Sequence, residues 1–208
     1  MTTIYLIRHS KVLKSIVYND EVSLQCQNES WVLSSDGEMM ASLFSKKEFL
    51  KEVDVVISSH YIRALGTAKY IAENNGKNVL IMKEFGERRH GVSSWAELPN
   101  GFEQKQFLDS EFKVGKGESR GDVSLRMTTA LKKVLDSYKN KTIAIVSHAT
   151  AITFLLMSFG HMNEAGIFIN DKLVLPKDFI WNNLDTIKLE FDDQYNLLDV
   201  AVIKNDIL

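Results

Sequence analysis

The feature that most constrains this chain is an alternation. Short continuous runs of β-branched and aromatic residues are separated by longer segments whose apolar residues return every three to four positions. Residues 3–7, 52–58, 79–82 and 142–146 are the short runs, and they predict strands buried on both faces. Residues 33–49, 61–74, 122–139 and 151–159 carry the helical period, most clearly through Val123, Met127, Ala130, Leu131 and Val134. Ser34, Ser35 or Asp36 can cap the first of these helices, and Asn75-Gly76 supplies a left-handed stop to the second. Strand and helix in turn dictate a mostly parallel sheet covered on both sides. The last stretch, 180–204, is different. Leu184, Ile187, Leu189 and Phe191 are followed by a turn at 194–196 and then by Leu197, Val200 and Val202, which predicts an antiparallel hairpin. The expected fold is a three-layer α/β/α sandwich with a mostly parallel central sheet and an antiparallel C-terminal edge.

Residues 12–31 have no clean period and read as an irregular or partly helical excursion. Residues 92–118 have little more, with a turn at Pro99-Asn100-Gly101; they are expected to form an insertion or lid within one domain spanning 1–208. A hydrophobic content of 45% over 208 residues is ample for a single core. With 25 basic and 27 acidic side chains the net charge is −2, so nothing global recruits nucleic acid or an anionic membrane, and any basic site must be local. One cysteine, Cys26, allows neither an internal disulfide nor a cysteine-based metal site. No run approaches the roughly 20 apolar residues of a membrane span. A cytoplasmic protein is expected; oligomeric state leaves no mark on the sequence.

Each apolar run ends in polar residues: Arg8-His9, Ser58-Ser59-His60 leading to Arg63, the cluster from Glu84 to His90, and Ser147-His148. In a parallel sheet the carboxyl ends share one edge, so groups far apart in sequence converge there. Two arginines and two histidines about one point make a pocket for a dianion, and phosphate matches the guanidinium fork. A carboxylate beside phosphate is useful only when it carries a proton for a departing alkoxide. Glu87 can supply that proton, and Glu84 is close enough to compete for the role. The chain has no Walker loop, no glycine-rich dinucleotide turn and no aspartate pair spaced for magnesium, which leaves a histidine nucleophile with no metal and no cofactor.

The same residues resemble a known family. LIRHS at 6–10 is similar to the LIRHG signature of the histidine phosphatase superfamily, also called phosphoglycerate-mutase-like. VISSHYIRALGTA at 56–68, GERRHG at 86–91, GES at 117–119 and VSHA at 146–149 follow in that family's order. The resemblance implies that His9 is the nucleophile that becomes phosphorylated, that Arg8, Arg63 and His148 hold the phosphoryl group, and that Glu87 is the proton donor. It implies a small phosphorylated substrate. Four positions depart from the family pattern. Ser10 and Ala149 replace glycines, His60 replaces a proline, and Ser15 stands where many members have an asparagine. Were those glycines needed for close approach or positive φ, Ser10 and Ala149 would cost roughly 1 kcal/mol each. His60 and His90 are candidates for the pocket rim.

The expected activity is metal-independent phosphomonoester hydrolysis. A mutase returning the phosphate to a second hydroxyl is one alternative, although residues 92–108 hold no paired arginines for a substrate carboxylate. A weakly catalytic module that binds phospho-ligands is another.

Overall fold

The computed structural model describes residues 1–14 and 22–206. In chain order its elements are β1 (Thr2–Arg8), α1 (Leu24–Ser30), α2 (Ser35–Phe44), β2 (Val55–Ser58), α3 (Ile62–Asn74), β3 (Val79–Ile81), α4 (Phe102–Leu108), α5 (Arg120–Ser137), β4 (Thr142–Ser147), α6 (Ala149–Leu156), β5 (His161–Asn163), β6 (Gly166–Ile169), β7 (Lys172–Pro176), β8 (Thr186–Phe191) and β9 (Leu197–Ile203). The main sheet runs β3-β2-β4-β1-β8-β9. Its first four strands are parallel, and β8 and β9 close the far edge antiparallel.

Successive strand residues face opposite layers, and the core divides accordingly. Ile4, Leu6, Ile57, Ile143 and Ile145 pack with Val123, Met127 and Leu131 of α5 and with Ile152 and Leu155 of α6. Tyr5, Ile7, Val56, Ala144 and Val146 pack instead with Phe44 of α2 and with Ala64, Ala68 and Ile71 of α3. Two apolar faces on each central strand explain why those runs are uninterrupted. Ser34 is the cap of α2, accepting from Gly37 N at 3.0 Å, and Gly76 ends α3 at φ +60°.

The partly helical reading of 12–31 corresponds to α1, only seven residues long. Two features were not anticipated: α4 in the stretch 92–118, also seven residues and too short to display a period, and a separate antiparallel sheet, β5-β6-β7, whose Ile167, Ile169, Val174 and Leu175 join the α5–α6 side of the core. Its β6–β7 turn places Asn170 and Asp171 at φ +50° and +59°. None of the described helices is long and apolar enough to cross a membrane.

Candidate active site

β2, β4 and β1 are neighbours and end level: Ser58 pairs with Val146, and Arg8 with Ser147. The residues just beyond them therefore meet at one sheet edge. His9 N donates to Ser147 O at 3.0 Å, and Ser59 N donates to Val146 O at 3.0 Å, which carries each strand's pairing one residue into its loop.

His9 is buried, and both ring nitrogens are engaged. Nδ1 lies 2.8 Å from the Ser10 carbonyl, which can only accept, so Nδ1 bears the proton. Nε2 is then a lone pair, and it accepts from Arg63 Nε at 3.0 Å. Burial, followed by the Arg63 charge, holds the imidazole well below its ordinary 6.5, so it is neutral at physiological pH. Arg63 occupies the second position of α3 and is itself buried. It also donates to Asn28 O of α1 and lies 4.7 Å from the centroid of the Tyr61 ring. Burial lowers Arg63 to about 10, opposed by the Glu87 charge, so it remains a cation at neutral pH.

Arg8 and His148 complete the cationic and donor side. Arg8 Nη1 donates to Trp181 O at 2.5 Å, while its buried Nε has no partner among the described residues. Burial lowers Arg8 too, against the charges of Glu87 and Asp185. The His148 ring centroid is 5.2 Å from that of His9 and 4.5 Å from that of Tyr61. Its Nε2 lies 2.8 Å from Ser59 Oγ, and its Nδ1 is buried with no partner among the described residues. Burial, then Arg63, holds His148 well below 6.5 as well.

The carboxylate comes from the segment after β3. Glu87 Oε1 accepts from Arg88 N at 2.9 Å and from Ala151 N, in the first turn of α6, at 3.0 Å. Oε2 makes no hydrogen bond among the described residues. The Glu87 backbone is clamped by Arg126, whose guanidinium reaches the carbonyls of Glu84 and Glu87 and pairs with Glu118 at 2.7 Å. Glu118 accepts in turn from Arg89 N at 2.9 Å. That contact gives the GES segment its physical role: Gly91 sits at φ +77°, and a Cβ there would lie 2.1 Å from Gly117 N. Glu87, Glu84, Glu29, His60, Tyr61 and Arg89 line a cleft of about 390 Å³, whose wall at Tyr61 packs against the His148 ring.

The structure thus brings Arg8, His9, Arg63, Glu87 and His148 together, with Glu84 further out in the cleft wall. His60 also lines the cleft, its Nε2 3.3 Å from Glu29. His90 faces elsewhere: its ring packs on Trp95 at 4.8 Å and Phe102 at 5.9 Å, and burial beside Arg88 pushes it down to about 4. Ser15 lies outside the described residues. Ser10 and Ala149 both have negative φ, so the expected backbone strain is absent. The Ser10 hydroxyl donates to Gly37 O at 2.8 Å, and Ala149 opens α6. Gly37 itself packs directly on the chain after Ser10, where a Cβ would lie 2.0 Å from Lys11 O.

Several contributors had no local signature. Tyr61 is buried between Arg63 and His148 and is pushed up to about 12 by burial. Thr67 Oγ1 accepts from Ser10 N at 2.9 Å. Asn183 donates to His9 O at 3.0 Å, and Leu184, at φ +68°, donates its N–H to Arg8 O at 3.1 Å. Only the repeat of polar residues after apolar runs pointed toward Ser59.

A buried imidazole lone pair facing guanidinium charge suits a compact oxyanion at a sheet edge, and the whole arrangement is one of phosphoryl chemistry. The chain belongs to the histidine phosphatase superfamily (branch 1), whose family model matches residues 4–194. Among its relatives, it is 28% identical over 159 residues to the uncharacterized phosphatase PhoE of Bacillus subtilis (strain 168), covering 75% of this chain and 76% of that one. It is also 28% identical over 165 residues to the probable phosphoglycerate mutase GpmB of Cronobacter sakazakii, covering 75% and 74%. The fold matches that of the Entamoeba histolytica phosphoserine phosphatase in complex with phosphoserine, with TM-score 0.69, 23% identity and 97% of each chain covered. It likewise matches a mycobacterial glucosyl-3-phosphoglycerate phosphatase at TM-score 0.69, 17% identity and 96% of each chain.

Proposed function

We propose that the protein hydrolyses small phosphate monoesters without a metal, through a phosphohistidine on His9. The observation that carries this reading is the His9 ring: Nδ1–H is held by the Ser10 carbonyl, and the Nε2 lone pair faces Arg63. A neutral, oriented imidazole of this kind is a nucleophile in waiting. As substrate enters, the Arg63 guanidinium turns from Nε2 to the phosphoryl oxygens, alongside Arg8 and His148. Nε2 then forms a bond to phosphorus as the ester oxygen leaves, and that oxygen takes the proton from Glu87 Oε2. In the second half the Glu87 carboxylate removes a proton from water, which attacks phosphorus and returns Nε2 to its lone-pair state. Three cationic or donor side chains, Arg8, Arg63 and His148, offset the charge on the transferring oxygens, the task a metal performs in other phosphatases.

Residues 92–118 touch the acid segment through Gln106 and Glu103 on Arg88 and through Glu118 on Arg89 N, which supports the reading that they act as its lid within one domain. The single exposed cysteine, Cys26, fits a reducing cytoplasm. The unstrained accommodation of Ser10 and Ala149 favours an active enzyme over a binding module. The relation to a probable phosphoglycerate mutase gives a second reading, in which the phosphate returns to another hydroxyl.

The test is a rapid quench with an aryl phosphate in excess chelator. An acid-labile, base-stable phosphoenzyme and undiminished turnover are expected. Loss of turnover on chelation would overturn metal independence. Isomerised rather than free phosphate from a phosphoglycerate would favour the mutase.

A further inference from the structure

The hydrogen bond between Ser59 and His148 carries an inference that neither the family relationship nor the fold supplies. Both residues are fully buried, and Ser59 Oγ lies 2.8 Å from His148 Nε2. That contact can run in either direction. If Nε2–H donated to Oγ, the Ser59 hydroxyl proton would need an acceptor of its own, and Ser59 Oγ has no other hydrogen-bond partner among the described residues. A buried hydroxyl proton left without an acceptor is costly. If Ser59 O–H donates to Nε2, its proton is satisfied and the ring proton is placed on Nδ1. Nδ1 is the buried nitrogen that lacks a partner among the described residues. Burial and the neighbouring Arg63 charge keep the ring neutral, so there is one ring proton to place. A lone pair on Nδ1 would meet the phosphoryl oxygens with repulsion, whereas Nδ1–H would donate to them.

We infer that Ser59 is a positioning residue that locks His148 as its Nδ1–H tautomer, making a neutral imidazole a dedicated hydrogen-bond donor to the phosphoryl group. The ring orientation has separate support. Tyr61 packs 4.5 Å from the His148 ring, and Ser58 Oγ donates to Ser59 O at 2.9 Å, steadying the backbone that carries the hydroxyl. This inference rests on the phosphoryl-transfer reading for its consequence, but the tautomer is measurable without any turnover.

The experiment is long-range ¹⁵N–¹H NMR of the imidazole nitrogens at neutral pH, on the full chain with and without inorganic phosphate, for the wild type and Ser59→Ala. In the wild type, His148 is expected to show a protonated Nδ1 and an unprotonated Nε2, with Nδ1 shifting on addition of phosphate. Ser59→Ala is expected to move the ring toward the Nε2–H form and to lower kcat/KM about tenfold or more, the effect of losing one hydrogen bond to a charged group. Ser59→Thr, which keeps the hydroxyl, restores both readings. A wild-type His148 protonated on Nε2 overturns the inference, whether or not any variant folds. So does an unchanged tautomer in Ser59→Ala. A wild type with Nδ1–H that binds phosphate yet hydrolyses no ester supports the role of Ser59 while sinking the hydrolase reading.

Discussion

His9 and His148 follow adjacent parallel strands, are both buried and are both held neutral, yet their rings are wired in opposite senses. His9 is anchored through Nδ1 to a backbone carbonyl, which leaves Nε2 as a lone pair. His148 is anchored through Nε2 to a side-chain hydroxyl, which leaves Nδ1 to donate. In the mechanism proposed above, identical residue types at neighbouring strand ends are thereby given opposite chemistry, one to attack and one to stabilise. The anchors also differ in vulnerability. No side-chain substitution removes the Ser10 carbonyl, whereas the partner of His148 is a single hydroxyl.

The comparison breaks most severely at His9. Replacing it by Ala is expected to abolish the phosphoenzyme and lower kcat on the order of 10⁴-fold or more, while His148→Ala, the loss of one donor, lowers it about 10²- to 10³-fold. Equal losses in steady-state kinetics would mean that the two rings do not divide the work. Next in size is the acid. Glu87→Gln is expected to reduce kcat by about 10²- to 10⁴-fold for esters with poor leaving groups, and much less for activated aryl esters. Glu84→Gln should leave both classes unchanged; the reverse pattern would move the proton donor to Glu84.

Acid sensitivity follows from the same burial. The unfolded chain protonates its histidines near pH 6.5, whereas the folded chain keeps His9 and His148 neutral well below that and His90 neutral down to about 4. The unfolded state therefore binds more protons in this window. Stability is fully present above pH 6.5 and is lost as pH falls below it, by at most about 1.4 kcal/mol per pH unit for each buried histidine. Urea melts between pH 7.5 and 5 should show this slope, and His90→Phe should reduce it without touching the pair at the sheet edge. A flat profile would mean that the rings are protonated in the native state. The smallest effect is expected at Ser10→Gly, which removes the bond to Gly37 O but leaves the carbonyl that orients His9. A loss of about 1 kcal/mol, or about 2–4 °C in melting temperature, is expected with kcat little changed.

Much of this arrangement was legible in the chain. An apolar run that ends in Arg8-His9 or Ser147-His148 cannot keep those residues inside a two-faced core, so their place at the sheet edge followed from burial alone. Arg63 and Glu87 were legible for the same reason, lying just past the ends of β2 and β3. The β5-β6-β7 sheet went unread even though Asn170-Asp171, between Ile169 and Leu173, is a two-residue hairpin signal. The excess atoms of Ser10 looked like strain because its acceptor, Gly37 O, lies 27 residues away on another element. Trp181 beneath Arg8 and Asn183 beneath His9 are more than 170 residues from their partners, and no local pattern announces such contacts.

The sequence by itself determined the layers, the parallel sheet and which residue types would gather at its edge, because periodicity and burial are local properties of the chain. Only the tertiary structure decided which nitrogen of each histidine is engaged by a neighbour and which oxygen of Glu87 is left without a hydrogen bond. Those choices depend on the direction of single hydrogen bonds to atoms from distant segments, such as Ser59 to His148 and Ala151 to Glu87, and direction exists only once the partners have met.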